Sequence, residues 1–404
     1  MSNRRRFLQT SGAALGVGAL APQFLMQAAE RADANNDRVL VVVQLSGGND
    51  GLNTVIPYQD DAYRKRRPTL AIPTSEVIKA NDHSGFHPAL RGFADLLEQQ
   101  KLVVVQGVGY ANPNRSHFES MDIWHTCHPK NESRTTGWLG RYLDQNMKLD
   151  GSDVPAIHFG GEQQPLALQA RDVRVPSVKS LDEFKLQSGN DQFRDTVSQL
   201  AATQRATSSE LLGFVQTSTS AALVASDRVA TAQSDYKSAV EYPQTDLARK
   251  LRIIAQLISA GLNTRIYYVT LDGFDTHSQQ ADAHAALLRQ WCDAVTAFTR
   301  DLAEHGHGER VLTLSFSEFG RRVEENASKG TDHGAAAPLI LTGNAVQAGF
   351  RGDQPSLTDL DDGDLKFHTD FRQVYSTVLG DWLGTDSERV IGARYDSLPI
   401  LKSV

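Results

Sequence analysis

What most constrains this chain is a pattern that recurs along it: short, β-branched apolar runs alternating with segments of helical spacing. The run Arg38 to Leu45 stops at Ser46-Gly47-Gly48, as a fully buried strand stopped by glycines should. Pro88 to Gln100 has helical spacing, with Leu90, Phe93, Leu96 and Leu97 on one face, and Leu102 to Gln106 is a second apolar strand. A loop from Gly107 to Arg115 leads into a predicted helix over Ser116 to Thr126. Further on, a helix over Leu251 to Leu262 feeds the strand Thr264 to Leu271. A long helix over Ala281 to His305 aligns Ala285, Leu288, Trp291, Val295, Phe298 and Leu302. The strand Arg310 to Phe316, a short helix Glu318 to Asn326, the strand Pro338 to Leu341 and a helix Phe371 to Leu383 complete the pattern. Such alternation implies an α/β fold: a mostly parallel central sheet with helices on both faces. Right-handed crossovers then bring the loops after the strands to one edge, where ligands bind in folds of this kind.

Two segments break the pattern. Asn3-Arg4-Arg5-Arg6-Phe7-Leu8 followed by an Ala- and Gly-rich apolar stretch reads as a twin-arginine export signal over residues 1–34, cleaved between about Ala28 and Ala34. It predicts a periplasmic or secreted protein with the twin-arginine translocase as its partner during export. The rest, residues 35–404, reads as one domain. Within it the Ala-, Ser-, Thr- and Gln-rich stretch at about 187–240 reads as an inserted helical segment.

Composition excludes several function classes. With 41 Lys and Arg against 48 Asp and Glu, the net charge of −7 argues against a nucleic-acid-binding face. No apolar stretch is long enough for a stable membrane span. Two cysteines, Cys127 and Cys292, exclude a disulfide scaffold and a cysteine-rich zinc module, and their spacing leaves open whether they pair.

The chemistry-bearing residues sit at the predicted strand ends. Asp50, in Ser46-Gly47-Gly48-Asn49-Asp50-Gly51, reads either as a turn cap or as a hard oxygen ligand. Ser116 reads as an N-cap, or as a nucleophile that feels the positive end of its helix, with Arg115 beside it able to hold an anion. In Asp272-Gly273-Phe274-Asp275-Thr276-His277, an extended loop puts Asp275 and His277 on one side, within reach of one ion. Ser317 and Glu318 fit a helix start, and Asp332-His333 before the last strand is the most ligand-like pair. Oxygen and nitrogen ligands without sulfur suit a divalent metal: zinc first, with manganese, magnesium or calcium as alternatives.

The order of these motifs resembles the alkaline phosphatase and sulfatase superfamily. Within it, Val43 to Asn53 and Phe316 to Arg321 resemble the bacterial twin-arginine-exported branch known as domain-of-unknown-function family 1501. The resemblance implies an alkaline-phosphatase-like fold and a metal-dependent hydrolase of phosphate or sulfate esters, acting on a small-molecule or polymer substrate. It also implies that Asp275, His277 and His333 share one metal, and that Asp50, Ser116 and Glu318 share a second, with Ser116 as nucleophile. His117 would shuttle a proton, and Arg115 or Arg321 would hold the substrate's free oxygens. The chain departs from the superfamily at Phe319, where a histidine ligand is usual; the second site is then one ligand short unless Asp332 or His117 substitutes. Ser116 also lacks the Cys/Ser-x-Pro-x-Arg context of sulfatases, and no G-x-S-x-G elbow surrounds it for a serine esterase. The alternative function is a non-catalytic periplasmic binding or assembly protein on a degenerate hydrolase fold.

Overall fold

In the computed structural model, residues 37–129, 134–146, 154–161, 163–179 and 236–402 are described. The chain separates into Met1–Arg38 and a compact unit, Val39–Val404, whose fold follows. The export signal and nearly all of the 187–240 insertion lie outside the described residues.

Among the described residues, nine strands form the main sheet. In chain order they are β1 (Val39–Leu45), β2 (Leu102–Gly109), β3 (Ala156–Phe159), β4 (Ser177–Val178), β5 (Ile266–Leu271), β6 (Val311–Phe316), β7 (Ala337–Thr342), β8 (Gly349–Arg351) and β9 (Thr369–Asp370). Their order across the sheet is β8-β2-β7-β6-β1-β5-β3-β4, with β9 also paired to β2. β1 runs parallel to both neighbours, Val42 pairing with Tyr268 on one side and Leu314 on the other. All seven of its residues are buried, as expected of a strand with helices on both faces.

The two faces hold separate cores. Val39, Val41 and Val43 pack with helices α1 (Arg91–Glu98), α4 (Asp246–Ser259) and α5 (Gln280–Glu304). Leu40 and Val42 face α2 (His117–Thr126), α3 (Trp138–Asn146) and α6 (Phe371–Thr377). Alternation along one strand therefore feeds both layers. Trp291 of α5 meets Phe93 of α1 edge to face at 4.7 Å, and Trp124 of α2 stacks on Phe371 of α6 at 4.4 Å. Cys292 belongs to the first core and Cys127 to the second; both are buried free thiols, with the sheet between them. No helix among the described residues is long and apolar enough to cross a membrane.

Two local results differ from the sequence reading. β7 is antiparallel to both β2 and β6. Its N-terminal end therefore lies at the same sheet edge as the C-terminal ends of the parallel strands. Residues just before β7 thus join those just after β1, β2, β5 and β6 on one rim. The predicted helix over Glu318 to Asn326 does not form. Its backbone instead pairs across to the segment before β7: Gly320 N–H donates to the Ala335 carbonyl, Arg322 N–H to Asp332, and Gly334 N–H to Gly320. With those groups engaged between segments, none remain for an intrahelical ladder.

Candidate metal centre

The rim is built from four loops held against one another. Gly47 and Gly48 have φ of +116° and +77°, a region open to glycine. A Cβ on Gly47 would lie 2.4 Å from the backbone nitrogen of Asp275, and one on Gly48 would lie 2.3 Å from the Phe319 ring. These glycines let the β1, β5 and β6 loops close on each other.

Polar side chains fix that packing. Ser317 does not cap a helix: its Oγ donates to the Leu45 carbonyl at 2.7 Å and accepts from Asn49 N–H at 2.9 Å. Arg321 is fully buried; its guanidinium donates to the carbonyls of Gly47, Gly48, Phe274 and Thr331 and to Asp275 Oδ1, the last at 2.7 Å. A fork so engaged and so deeply buried is a structural staple and is not placed to meet a substrate oxygen. Arg115, too, is occupied, its guanidinium reaching Asp364 at 2.7 Å and Asp362 at 3.0 Å.

Asp50 is placed away from any shared ion. Its carboxylate is completely buried, 2.6 Å from Arg67 Nη1 and 2.5 Å from Gln280 Nε2. Burial pushes its pKa up, but Arg67, assisted by His284 and Gln280, outweighs this and leaves it below the ordinary value. Asp50 precedes a short helical turn without capping it through its side chain. Ser116 is exposed at the N-cap of α2, also with no side-chain cap bond.

The structure instead gathers three histidines around Asp275. His277 Nε2 and His333 Nε2 each lie 3.0 Å from Asp275 Oδ1 and 2.9 Å from one another. His117 Nε2 lies 3.4 Å from Asp275 Oδ2. One donor atom from each of His117, Asp275 and His333 falls within 4.8 Å of the others. Every one of these histidines has its other ring nitrogen tied back. His117 Nδ1 is 2.8 Å from Glu318 Oε1, His277 Nδ1 is 3.3 Å from Asp332 Oδ1, and His333 Nδ1 is 2.7 Å from the Arg115 carbonyl. Glu318 and Asp332, both read from sequence as ligands, thus stand behind the imidazoles.

A carbonyl or carboxylate only accepts, so each Nδ1 carries a proton and each ring turns its Nε2 inward. Three imidazole nitrogens that can each offer a lone pair then converge with a carboxylate. That is the donor arrangement of a metal site, each imidazole oriented by an acceptor behind it. Tetrahedral zinc with bonds of about 2.0–2.1 Å spaces its ligand atoms ~3.3 Å apart, close to the 3.0–3.4 Å from each Nε2 to Asp275. The Nε2 of His117 is buried with no hydrogen-bond partner.

Charge ties these groups together. The hydrogen bond to Glu318 is the main force raising the His117 pKa; burial opposes it, and the charges of Glu318 and Asp275 add to it. At Asp275, burial raises the pKa, but hydrogen bonds from Arg321 and His333 and the charges of Arg321 and His117 bring it down to about 2. Phe319 forms a wall of the cluster, its ring 4.9 Å from that of His117 and 4.8 Å from that of His333.

Sequence reasoning had His117 as a proton shuttle or substitute ligand, because its place after Ser116 suggested only a helix start. The spacing of Arg67, Gln280 and Asp364 from their partners carried no signal at all.

Solved structures with a similar layout include the lipoteichoic acid synthase LtaP from Listeria monocytogenes, 8% identical with a TM-score of 0.38, covering 87% of this chain and 73% of that one. Another is a protein in the alkaline phosphatase superfamily from Vibrio parahaemolyticus, 8% identical with a TM-score of 0.38, covering 88% of this chain and 69% of that one. A third is the zinc complex of the C-terminal periplasmic domain of EcEptC from Escherichia coli, 11% identical with a TM-score of 0.36, covering 76% of this chain and 73% of that one. Scores this low carry no residue role or activity across. No curated protein matches the sequence. A family model does: it spans residues 102–395, and the chain belongs to that family, described as "Protein of unknown function (DUF1501)".

Proposed function

We propose that this chain is a single-metal hydrolase that holds a divalent ion of the zinc class through His117, Asp275, His277 and His333. The observation that carries this reading is the convergence of three Nε2 atoms on Asp275, each ring held from behind by Glu318, Asp332 or the Arg115 carbonyl. Bound there, such an ion would polarise an ester oxygen and acidify a water. The chain's own residues would orient the ion and leave its outer side open: the side chains of Asp275 and His277 are 47% and 44% exposed. Phosphate or sulfate esters, on a small molecule or a polymer, are the substrate class that the superfamily resemblance suggests. Ser116, exposed beside the cluster, is the candidate nucleophile within this reading. Export through the twin-arginine translocase to the periplasm or beyond is part of the same proposal, resting on residues 1–34.

A second reading, a non-catalytic metal-binding protein, is favoured by one specific observation. Both arginines expected to grip an anionic substrate, Arg115 and Arg321, are engaged with partners in the chain. Elemental analysis of protein purified from cells, followed by a panel of phosphate and sulfate esters, separates the two. About one ion per chain, with turnover abolished by chelation and by His333→Ala, is the expected outcome. Stoichiometric metal with no turnover on any ester would select the second reading. Protein that neither carries nor takes up a divalent ion would overturn both.

A further inference from the structure

A polar cavity of about 210 Å³ opens elsewhere on the same sheet edge, beyond the C-terminal ends of β1, β5 and β3. Its position satisfies the general rule that open α/β sheets bind ligands outside the carboxyl ends of adjacent parallel strands. Gln44, Ser46, His125, His158, Gln163 and Thr270 line it. None of the four metal-cluster residues does.

The lining has a definite chemistry. Burial pushes the pKa of His125 down to about 3 and that of His158 to about 4, so both rings are neutral near pH 7. His125 Nε2 lies 3.1 Å from Gln44 Oε1 and 3.1 Å from the Tyr268 hydroxyl, which also donates to Gln44, so this wall is a fixed hydrogen-bonding surface. His158 Nδ1 is 2.9 Å from Ser177 Oγ, while its Nε2 edge faces Gly160. A Cβ there would lie 2.6 Å from that nitrogen, so glycine keeps a side chain out of the space beside a ring that is otherwise buried. Of the two charged lining residues, Lys250 is paired with Asp246 at 2.7 Å and Asp272 is exposed, so no cluster of like charge faces the cavity. Neutral donors and acceptors in mixed directions, in a space for several waters, match a ligand that carries many hydroxyls and no charge.

We infer that this cavity is a second binding site, selective for a neutral polyhydroxylated ligand: a single sugar residue, free or as part of a longer glycan. The site is separate from the metal cluster, although α2 carries both His117 and His125. Its test does not depend on the metal.

Saturation-transfer NMR on the full exported chain with D-glucose, D-galactose, N-acetyl-D-glucosamine and myo-inositol tests the inference. Saturable transfer from at least one of these is expected. Thr270→Tyr, which fills the cavity from β5, should abolish it. Gln163→Ala removes one exposed lining amide and should weaken binding several-fold without affecting the fold. Metal content should be unchanged in both variants. Absence of saturable transfer in the wild type, or wild-type binding by a folded Thr270→Tyr protein, would overturn the inference, and each result is independent of whether the chain hydrolyses esters.

Discussion

Asp50 and Asp275 stand on neighbouring loops of one rim, both at strand ends and both read from sequence as metal ligands. Their surroundings have opposite effects. Asp50 has a fully buried side chain, and its charge is answered by Arg67, equally buried. Asp275 is half exposed and shares its oxygens among Arg321 and three imidazoles. A guanidinium is a permanent cation that fills the space an ion would take; an imidazole can give up its proton and offer a lone pair to an ion. The partner, more than the carboxylate or its position, therefore divides a structural ion pair from the proposed ligand set.

The sharpest way to break this contrast is to remove one imidazole from the open cluster. His333→Ala, in protein loaded with one equivalent of zinc and then dialysed, should lose essentially all of its metal. Asp50→Asn, treated identically, should retain it in the folded fraction. Equal retention by the two variants, read by elemental analysis, would erase the distinction drawn between the two carboxylates.

The buried pair should dominate stability in turn. Arg67→Met leaves the Asp50 charge uncompensated in the interior and should cost about 3–5 kcal/mol, read from urea unfolding. His277→Ala, on the exposed side of the cluster, should shift metal-free stability far less. An Arg67→Met midpoint close to that of wild type would show that the pair adds little to stability.

How far this rim was legible depended on distance along the chain. β1, β2, β5 and β6 were readable because each is a dense apolar run, and burial on both faces demands that. Asp275 and His277 could be paired because two residues apart in an extended loop means one side. The antiparallel sense of β7 was not readable, since an apolar run has no direction. The segment after Glu318 misled because helical spacing and a Ser-Glu start were present, while the competing cross-segment backbone pairing was not visible locally. Arg67 was silent because nothing in a run of four basic residues, Arg64 to Arg67, says which one turns inward.

A finer probe is Glu318, which lies behind the cluster and not in it. Its Oε1 accepts from Gly47 N–H as well as facing His117 Nδ1. Glu318→Gln keeps the shape but weakens the hold on His117, and loss of such a backing group lowers metal affinity by roughly 10–100-fold. Competition with a chromophoric chelator measures it. An affinity equal to wild type would remove Glu318 from the centre's support; loss as complete as in His333→Ala would make it a ligand in its own right.

The smallest expected effect uses histidines outside the cluster, whose environment resembles that of Asp50 in burial but in which burial outweighs any charge that would favour an added proton. His125 is buried with its pKa pushed down to about 3, and His284, 2.9 Å from Asn49 Oδ1, is held down to about 4 mainly by burial. An unfolded histidine titrates near 6.5, so between that value and the folded one the unfolded chain binds the extra proton. Stability from these groups is complete above pH 6.5 and falls as the pH drops toward 4. One pH unit below 6.5 it should be lower by about 1.4 kcal/mol per site. Asp50 and Asp275 do not titrate in that window, because their pKa values lie below 3.8. Chelator-treated protein unfolded in urea at pH 7 and pH 5.5 reads the loss, and His125→Gln should reduce it by one site's share. A pH dependence in His125→Gln equal to that of wild type would mean this ring gains a proton without unfolding, so that its burial is less complete than its surroundings imply.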